Sequence, residues 1–328
     1  MIVVDQVSKY YGAHRAVTDL SFEIAAGECV GFLGLNGAGK STTLRLLACL
    51  SLPTSGSIRI RGLDVVEHPH EIRKLIGYLP DTPPLYGEMT VDEYLTHAGA
   101  LRDLSGADLD KRRTRVLDQC SLRDVAGAMI STLSHGYRQR VGIAQAIIHG
   151  PALVILDEPI QGLDPVQIVE MRKLIGELRG EHTILLSTHI LTEIERTCDR
   201  ILMMHHGRIA AVGTEQDLEA RLRGAQKLEL TVRGEASALR AALAAVSGAS
   251  EVALSPEGES AAGLVRATVR IESADVAESI SRAVVTAGLG LCALQPVRSG
   301  LESVFIELSG SAAPTSIPPA APAAQVQA

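Results

Sequence analysis

The sequence has few aromatic residues and no long apolar run. Its 328 residues include no tryptophan, three phenylalanines and six tyrosines. No stretch approaches the ~18 uninterrupted apolar residues that a membrane-spanning helix needs. The N-terminal stretch MIVVDQVSKYYG also lacks a basic region followed by a long apolar core. These absences exclude a membrane span and a secretory signal as interpretations, and we expect a cytoplasmic protein.

The cysteine content and the charge exclude further classes. The five cysteines are far apart and include no C-x-x-C pair, so the sequence predicts buried thiols in a reducing compartment and neither disulfides nor a zinc site. The net charge is -7 and the isoelectric point is about 5.8. Because no basic surface is indicated, nucleic acid is not an expected partner.

The stretch GLNGAGKST, residues 34–42, fits the pattern G-x-x-x-x-G-K-[ST]. Its glycines let the backbone point successive N–H groups at an anion, Lys40 adds a positive charge, and the Ser41 hydroxyl can bind Mg²⁺. An apolar run precedes the stretch and a helical pattern follows it, as this motif requires. We therefore predict a loop that binds nucleotide phosphates. Its other predicted binding residues are Gly34, Asn36, Gly37, Ala38, Gly39 and Thr42.

A phosphate loop predicts a second element, an acid at the end of an apolar strand. Asp157 has that place in LVILDEP and is the candidate Mg²⁺ acid. Glu158 follows it, and a carboxylate at this position can orient or deprotonate the water that attacks the γ-phosphate. The alternative is that two acids merely finish a strand where polarity resumes.

The pattern of apolar residues predicts an α/β fold in several parts. Alternating segments before residue 60 predict an antiparallel β subdomain, and continuous apolar runs such as ALVILDEP predict buried strands of a mostly parallel sheet flanked by helices. Residues 83–149 read as a helical insert. We thus predict a P-loop NTPase core with an ATP-binding domain over residues 1–220, a small α+β domain over 225–310, and a disordered Pro/Ala-rich tail over 311–328.

The motifs GLNGAGKST, LSHGYRQRVGIAQA, LVILDEP, GLDP and STH stand in this order along the chain. In that order they resemble the ATP-binding subunits of ABC transporters, over residues 1–213. The stretch IGYLPDTPPLYGEMTVDEYL and the small C-terminal domain further resemble the ATPases of ABC-2-type exporters, particularly the gliding-motility-like group. The resemblance implies a subunit that binds and hydrolyses ATP with Mg²⁺ and powers export through a separate polytopic membrane permease. It also implies a peripheral location on the cytoplasmic face of the membrane.

The resemblance implies that two such subunits enclose two ATP molecules head to tail, and we favour a homodimer over a heterodimer. Each site would pair one subunit's phosphate loop with the other's signature segment, residues 133–140 (LSHGYRQR). The Ser134 hydroxyl and the bare amide of Gly136, just before a helix, would then meet the partner's γ-phosphate. Taken without the resemblance, LSHG is only a weak helix-capping signal.

Three further residues take roles from the resemblance. Tyr11 sits where an aromatic ring stacks on adenine, although Tyr10 is adjacent and either could be a core strand residue. His189 matches the histidine that contacts the γ-phosphate, with a satisfied core histidine as the alternative. Asp164 matches the loop that communicates between the two ATP sites, and its position before Pro165 also predicts a helix N-cap. With Lys40 and Glu158, His189 completes the predicted catalytic set.

The chain departs from the family pattern at two places. Asp81 stands where glutamine is usual in a loop that contacts Mg²⁺, the attacking water and the membrane partner, so Asp81 joins Ser41 and Asp157 as a predicted metal ligand. His135 stands where the first of two glycines is usual, so its imidazole would either crowd the phosphate or donate a hydrogen bond to it. Tyr137 replaces a glutamine in the same segment.

Two alternative functions remain open on the residues alone. What the resemblance implies is that a relative acting on ribosomes would carry two ATPase units in one chain, and that one acting on DNA would carry long coiled coils or a zinc module between the phosphate loop and the signature segment. The chain has one phosphate loop, and the spacing from Lys40 to Ser134 leaves room for a compact insert only. A regulatory module without hydrolysis is opposed by intact Lys40, Asp157, Glu158 and His189, but Asp81 and His135 keep it open.

Overall fold

The computed structural model describes residues 1–214, 216–218, 226–254, 264–273 and 275–297. These residues fall into two compact units, one ending at Thr214 and the other following it. The predicted tail, residues 311–328, and the last part of the predicted accessory domain lie outside the described residues. Within the described part of the chain, no helix is long and apolar enough to cross a membrane.

The first unit contains most of the strands. They are β1 (Ile2–Tyr11), β2 (His14–Ile24), β3 (Cys29–Leu33), β4 (Ser55–Ile60), β5 (Leu63–Asp64), β6 (Ile76–Leu79), β7 (Leu153–Asp157), β8 (Thr183–Thr188), β9 (Arg200–His205) and β10 (Arg208–Gly213). Its helices are α1 (Lys40–Leu47), α2 (Pro69–Leu75), α3 (Val91–Ala100), α4 (Gly106–Gln119), α5 (His135–Ile147), α6 (Pro165–Leu178) and α7 (Leu191–Thr197).

The strands of this unit form two sheets in the described part of the chain. One has the order β10-β9-β3-β8-β7-β6, and all its neighbouring pairs are parallel except β10 with β9. Its central strands β3, β7 and β8 are buried at every residue, as the continuous apolar runs predicted. The other sheet has the order β2-β1-β4-β5 and is antiparallel. The predicted core and antiparallel subdomain are therefore confirmed.

The predicted helical insert contains α3, α4 and α5, with short 3-10 turns at Arg123–Val125 and Ile130–Thr132. Helix α3 begins with a capping box, in which the Thr90 and Glu93 side chains each accept from the other's backbone N–H. Helix α5 begins at His135, two residues earlier than the sequence suggested. Gly136 therefore lies inside the first turn, and Ser134 is the N-cap.

The second unit has the order β11 (Gln226–Arg233), α8 (Ala236–Ala244), β12 (Ala249–Leu254), β13 (Leu264–Ile271), α9 (Val276–Thr286) and β14 (Gly290–Val297). Its described strands form an antiparallel sheet in the order β12-β13-β11-β14. This is the β-α-β-β-α-β arrangement of ferredoxin-like units. Strands and helices thus alternate within the stretch for which the sequence predicts a small α+β domain. The ladder of β12 with β13 is irregular between Ser250 and Ala253, where Glu251 has a φ of 49°.

Candidate nucleotide-binding site

The candidate site lies at one edge of the parallel sheet. Strands β3, β6, β7 and β8 run parallel, so their carboxyl ends meet at the same edge. The phosphate loop follows β3, Asp81 follows β6, Glu158 follows β7 and His189 follows β8. The topology thus brings together residues from four separate stretches of the sequence.

The phosphate loop depends on two glycines with no room for a side chain. Gly39 has φ 101°, and a Cβ there would lie 2.6 Å from the carbonyl oxygen of Ala16. A Cβ on Gly34 would lie 2.7 Å from the carbonyl oxygen of Met204. The loop is also tied to the turn between β9 and β10, because the Gly207 N–H donates to the Ala38 carbonyl at 3.0 Å. The neighbouring backbone therefore holds the loop in shape.

A cavity of about 370 Å³ opens in front of this loop. It is lined by His14, Ala16, Leu35, Asn36, Gly37, Gly39, Lys40, Ser41, Thr42, Asp81, Glu158 and Gln161. Of the residues predicted for the phosphate loop, Gly34 and Ala38 do not line the cavity and instead support the loop from behind. His14, Ala16 and Gln161 are lining residues that the sequence did not indicate.

Lys40 is buried, with 5% of its surface exposed, and its ammonium group faces the cavity. The Nζ donates to the Gly34 carbonyl at 2.7 Å and lies 3.2 Å from Glu158 Oε1. Burial of a charged ammonium is costly unless it is paired. Lys40 is therefore held beside the loop amides, with Glu158 as its counterion.

Asp157 is fully buried behind the cavity. Its Oδ1 accepts from Ser187 Oγ at 2.6 Å and from Ser41 Oγ at 3.2 Å. Burial raises the pKa of this carboxyl, and the two hydroxyl donors lower it by a smaller amount. A carboxylate in this setting is stabilised by a cation placed next to it.

Glu158 contacts three other residues around the site. Its Oε2 lies 3.0 Å from His189 Nδ1, its Oε1 pairs with Lys40, and its backbone N–H donates to Ser187. The residue has φ 49°, a left-handed conformation that is uncommon outside glycine. His189 keeps 36% of its side chain exposed, so it is not a core histidine. The surroundings thus hold a strained glutamate with its carboxylate turned into the cavity.

The donor set fits Mg²⁺. Ser41 Oγ and Asp157 Oδ1 lie within 3.2 Å of each other, and Asp81 lines the same cavity. Mg²⁺ prefers oxygen ligands, and it usually takes one or two carboxylates and completes its shell with phosphates and water. The described residues contain no cluster of three or more histidine, cysteine or acidic side chains that would form a complete protein cage. The oxygens of Ser41, Asp157 and Asp81 therefore suit a Mg²⁺ ion that nucleotide phosphates also bind.

Comparisons with known proteins agree with this geometry. The family model described as ABC transporter matches residues 17–161. The bacitracin transport ATP-binding protein BcrA of Bacillus licheniformis is 38% identical over 211 residues, which cover 64% of this chain and 68% of the relative. The linearmycin resistance ATP-binding protein LnrL of Bacillus subtilis is 31% identical over 316 residues, 94% of this chain and 98% of the relative. The chain belongs to the ABC transporter ATP-binding proteins.

A solved structure supports the same assignment. A dimeric ATP-binding cassette in a post-hydrolysis state, bound to ADP and phosphate, is 26% identical to the ABC ATPase described here. The similarity has a TM-score of 0.61 and covers 65% of this chain and 98% of that cassette. The predicted fold, the exporter-type family and the ATPase activity coupled to transport are confirmed. The ribosome, DNA and purely regulatory alternatives gain no support.

The cavity of the ABC ATPase is not lined by His189, which contacts Glu158, nor by four further predicted residues, Tyr11, Ser134, Gly136 and Asp164. Tyr11 ends β1 with 48% of its surface exposed, and the Lys9 ammonium lies 5.0 Å from its ring centroid. Tyr10 is 36% exposed, so neither tyrosine is a core residue. Ser134 caps α5 and Asp164 caps α6, where its Oδ1 accepts from the two backbone N–H groups that follow Pro165. Gly136 lies in the first turn of α5.

The two departures from the family pattern have defined surroundings. Asp81 lines the cavity, and its backbone carbonyl accepts from Gln139 Nε2 at 3.4 Å. The Gln139 Oε1 is buried and has no hydrogen-bond partner among the described residues. His135 does not enter the cavity of its own subunit, and its Nε2 lies 3.0 Å from the Gln161 carbonyl oxygen.

Proposed function

We propose that this ABC ATPase powers export through a separate, polytopic permease of the ABC-2 type, and that it works on the cytoplasmic face of the membrane. BcrA is named for bacitracin transport and LnrL for linearmycin resistance. Because these relatives carry the names of two different compounds, we assign the choice of cargo to the permease. The ATPase supplies the energy and the timing.

The catalytic proposal rests on one observation, the placement of the Glu158 carboxylate between Lys40 and His189 in the cavity. When ATP binds, Lys40 exchanges Glu158 for the β/γ-phosphates, and the freed carboxylate accepts a proton from the attacking water. His189 holds the carboxylate and contacts the γ-phosphate. The loop amides neutralise the charge that develops on the phosphate oxygens.

Ser41, Asp157 and Asp81 are the residues that would hold Mg²⁺. When bound, this ion neutralises charge on the β- and γ-phosphates. In the protein alone, Asp157 is kept in place by Ser187, whose Oγ donates to it at 2.6 Å. The carboxylate thus needs no rearrangement before the metal and nucleotide arrive.

We propose that the active form is a homodimer. The start of α5, with Ser134 and Gly136, presents backbone N–H groups and a positive helix end but does not line the cavity of its own subunit. A second copy of the chain would place this segment over the γ-phosphate, with its Asp164 loop beside it. Tyr11 stacks on the adenine of its own subunit. One chain carries both halves of a complete site, so no different ATPase is required.

The surface proposed for the permease is a second cavity, of about 600 Å³, beside the helical insert. Its lining includes Leu50, Leu101, Arg73 and Arg102, and the two leucines are 60% and 70% exposed. Large exposed leucines around one opening mark an interaction site, and the arginines suit the negative, carboxyl end of a helix. We propose that a short cytoplasmic helix of the permease docks there.

This docking cavity and the nucleotide cavity share one segment of the chain. Pro80 and Pro84 line the docking cavity, and Asp81 between them lines the nucleotide cavity. A shift of this segment on nucleotide binding therefore reaches the docked helix directly. We propose it as the mechanical link between ATP and the permease.

The test of the motor is light scattering of purified Glu158→Gln with and without Mg-ATP. We expect ATP to convert the variant from monomer to dimer, because the complex forms and is not hydrolysed. Glu177→Gln, an exposed glutamate on α6, is the matched control and should hydrolyse ATP like the wild type. Turnover by Glu158→Gln at the wild-type rate would contradict the assignment of the base. A variant that binds ATP and stays monomeric would contradict the homodimer.

The permease surface is tested by co-purification of the tagged ATPase from its own membranes in detergent. We expect Leu101→Glu to lose a polytopic membrane protein that the wild type retains, while keeping its ATPase activity. Val66→Glu is the control, since Val66 is 52% exposed and lies outside the docking cavity. Equal recovery with both variants would rule out this cavity as the docking site.

A further inference from the structure

His135 makes a contact that a glycine could not make. Its Nε2 lies 3.0 Å from the backbone carbonyl oxygen of Gln161. A carbonyl only accepts, so Nε2 must carry the hydrogen and donate it. The family pattern has glycine at this position, which has no side-chain donor. The hydrogen bond is therefore a property of this chain and not of the general signature.

The His135 ring packs against Gly162. Gly162 has φ 74°, and a Cβ there would lie 3.4 Å from His135 Nε2. The next residue of the signature is packed against the same stretch, because a Cβ on Gly136 would lie 2.8 Å from the Gln167 side chain. The first turn of α5 therefore contacts residues 161–167 at two separate points.

The segment that accepts the hydrogen bond from His135 also contains Glu158, the proposed general base. The Gln161 N–H donates to the Glu158 carbonyl at 3.1 Å, which closes a turn over residues 158–161. Glu158 has φ 49° inside this turn. A strained conformation of this kind persists only when neighbouring groups hold it. Gln161 also lines the nucleotide cavity, so a shift of the turn changes the position of the base.

We propose that His135 is a positioning residue for ATP hydrolysis: by holding the Gln161 carbonyl, it fixes the turn that aims the Glu158 carboxylate. This inference rests on the proposed function. In the closed dimer the start of α5 meets the partner's γ-phosphate, so His135 also connects that phosphate to the base of its own subunit.

The experiment compares steady-state ATPase kinetics of the full-length protein with His135→Ala and His135→Gln. One hydrogen bond contributes on the scale that changes a rate by about threefold to tenfold. We expect His135→Ala to lower kcat by that factor and to leave the KM for ATP within about twofold. We expect His135→Gln to recover most of kcat, because its amide N–H reaches nearly as far as Nε2–H. His70→Ala, at an exposed histidine of α2, is the control.

A second variant separates this inference from the proposed function. In the Glu158→Gln background, His135→Ala should still give the dimer trapped by ATP, because only the aim of residue 158 has changed. Loss of the trapped dimer would show that His135 acts on the partner's phosphate directly, and this would overturn the positioning role. Wild-type kcat in His135→Ala, or no recovery in His135→Gln, would also overturn it. A Glu158→Gln protein that never dimerises would instead count against the proposed function.

Discussion

The ammonium of Lys40 and the carboxylate of Glu158 form an ion pair 3.2 Å long, with 5% and 10% of the two side chains exposed. In the proposed mechanism, the Lys40 ammonium binds the phosphates and the Glu158 carboxylate accepts a proton from the attacking water. The pair therefore occupies the groups that ATP needs and must separate when the phosphates arrive. The binding of the nucleotide therefore also frees the Glu158 carboxylate from Lys40, so that it can act as the base.

The first prediction is that Glu158→Gln binds ATP more tightly than the wild type. The amide no longer pairs with Lys40 as a counterion, and it no longer repels the γ-phosphate. We expect the Kd for ATP, measured by calorimetry, to fall by about threefold to tenfold, which corresponds to roughly 0.7–1.4 kcal/mol. Glu177→Gln should bind ATP like the wild type. A higher Kd in Glu158→Gln than in the wild type would show that the ion pair assists ATP binding and does not compete with it.

The second prediction concerns the charge of Asp157. Burial raises the pKa of this carboxyl above its ordinary value. A carboxyl with a raised pKa destabilises the fold when it is ionised, so the cost is present at neutral pH and fades as the pH falls through the folded-state pKa. Asp157→Asn removes the charge and keeps an oxygen that Ser187 and Ser41 can donate to.

We therefore expect Asp157→Asn to raise the melting temperature of the nucleotide-free protein at pH 7 by about 2–4 °C, the shift produced by roughly 1 kcal/mol. Its ATPase activity should be lost. The gain in melting temperature should shrink toward acid pH, and Asp5→Asn, at an exposed position of β1, should show no gain. A lower melting temperature in Asp157→Asn would mean that the ionised carboxylate stabilises the fold.

The central residues of the site could be predicted because each belongs to a short local pattern. Lys40 and Ser41 lie in a glycine-rich loop, and Glu158 directly follows a buried strand. Parallel strands then bring their carboxyl ends together without further information. Residues that reach the site only through tertiary packing gave no such signal. In the sequence, Ser187 looks like one more position of a buried strand. In the structure, its Oγ donates a hydrogen bond to Asp157 and accepts one from the Glu158 backbone N–H.

The partners of the signature residues were also beyond local patterns. The sequence placed His135 in the signature segment and left two roles open, crowding the phosphate or donating to it. The structure shows a third arrangement, a hydrogen bond to Gln161 in the same subunit. That contact joins residues 26 positions apart, and nothing in either stretch encodes the pairing.

The third prediction uses the acid sensitivity of His149. Burial and, to a smaller extent, the positive charge of Arg102 lower the pKa of this imidazole to about 4, against a hydrogen bond with the Ile76 carbonyl. Between the ordinary value of 6.5 and about 4, the unfolded chain binds a proton here and the folded chain does not. The free energy of unfolding therefore falls as the pH drops through this window.

We expect His149→Gln to weaken this dependence, because its amide can still donate to the Ile76 carbonyl and cannot be protonated. Urea unfolding at pH 7 and pH 5 should show a smaller loss of stability in the variant than in the wild type. His70→Gln, on the surface of α2, should lose as much as the wild type. Identical losses in all three proteins would place the acid sensitivity elsewhere.

The fourth prediction is that one thiol reacts much faster than the others. Cys292 is exposed, whereas Cys29, Cys49 and Cys120 are buried. Burial raises the pKa of Cys49 and raises that of Cys120 to about 12. The pKa of Cys198 is well above its ordinary value, because its thiol is hydrogen-bonded to that of Cys29 and lies partly buried beside it.

Since the thiolate is the reactive form, an aromatic disulfide reagent at pH 8 should modify a single cysteine rapidly in the folded protein. Cys292→Ser should abolish the rapid phase and leave the slow reactions unchanged. Denaturation should then expose the four remaining thiols of that variant together. A rapid phase that survives Cys292→Ser would assign the fast reaction to another thiol, with the half-buried Cys198 as the first candidate, and would contradict this prediction.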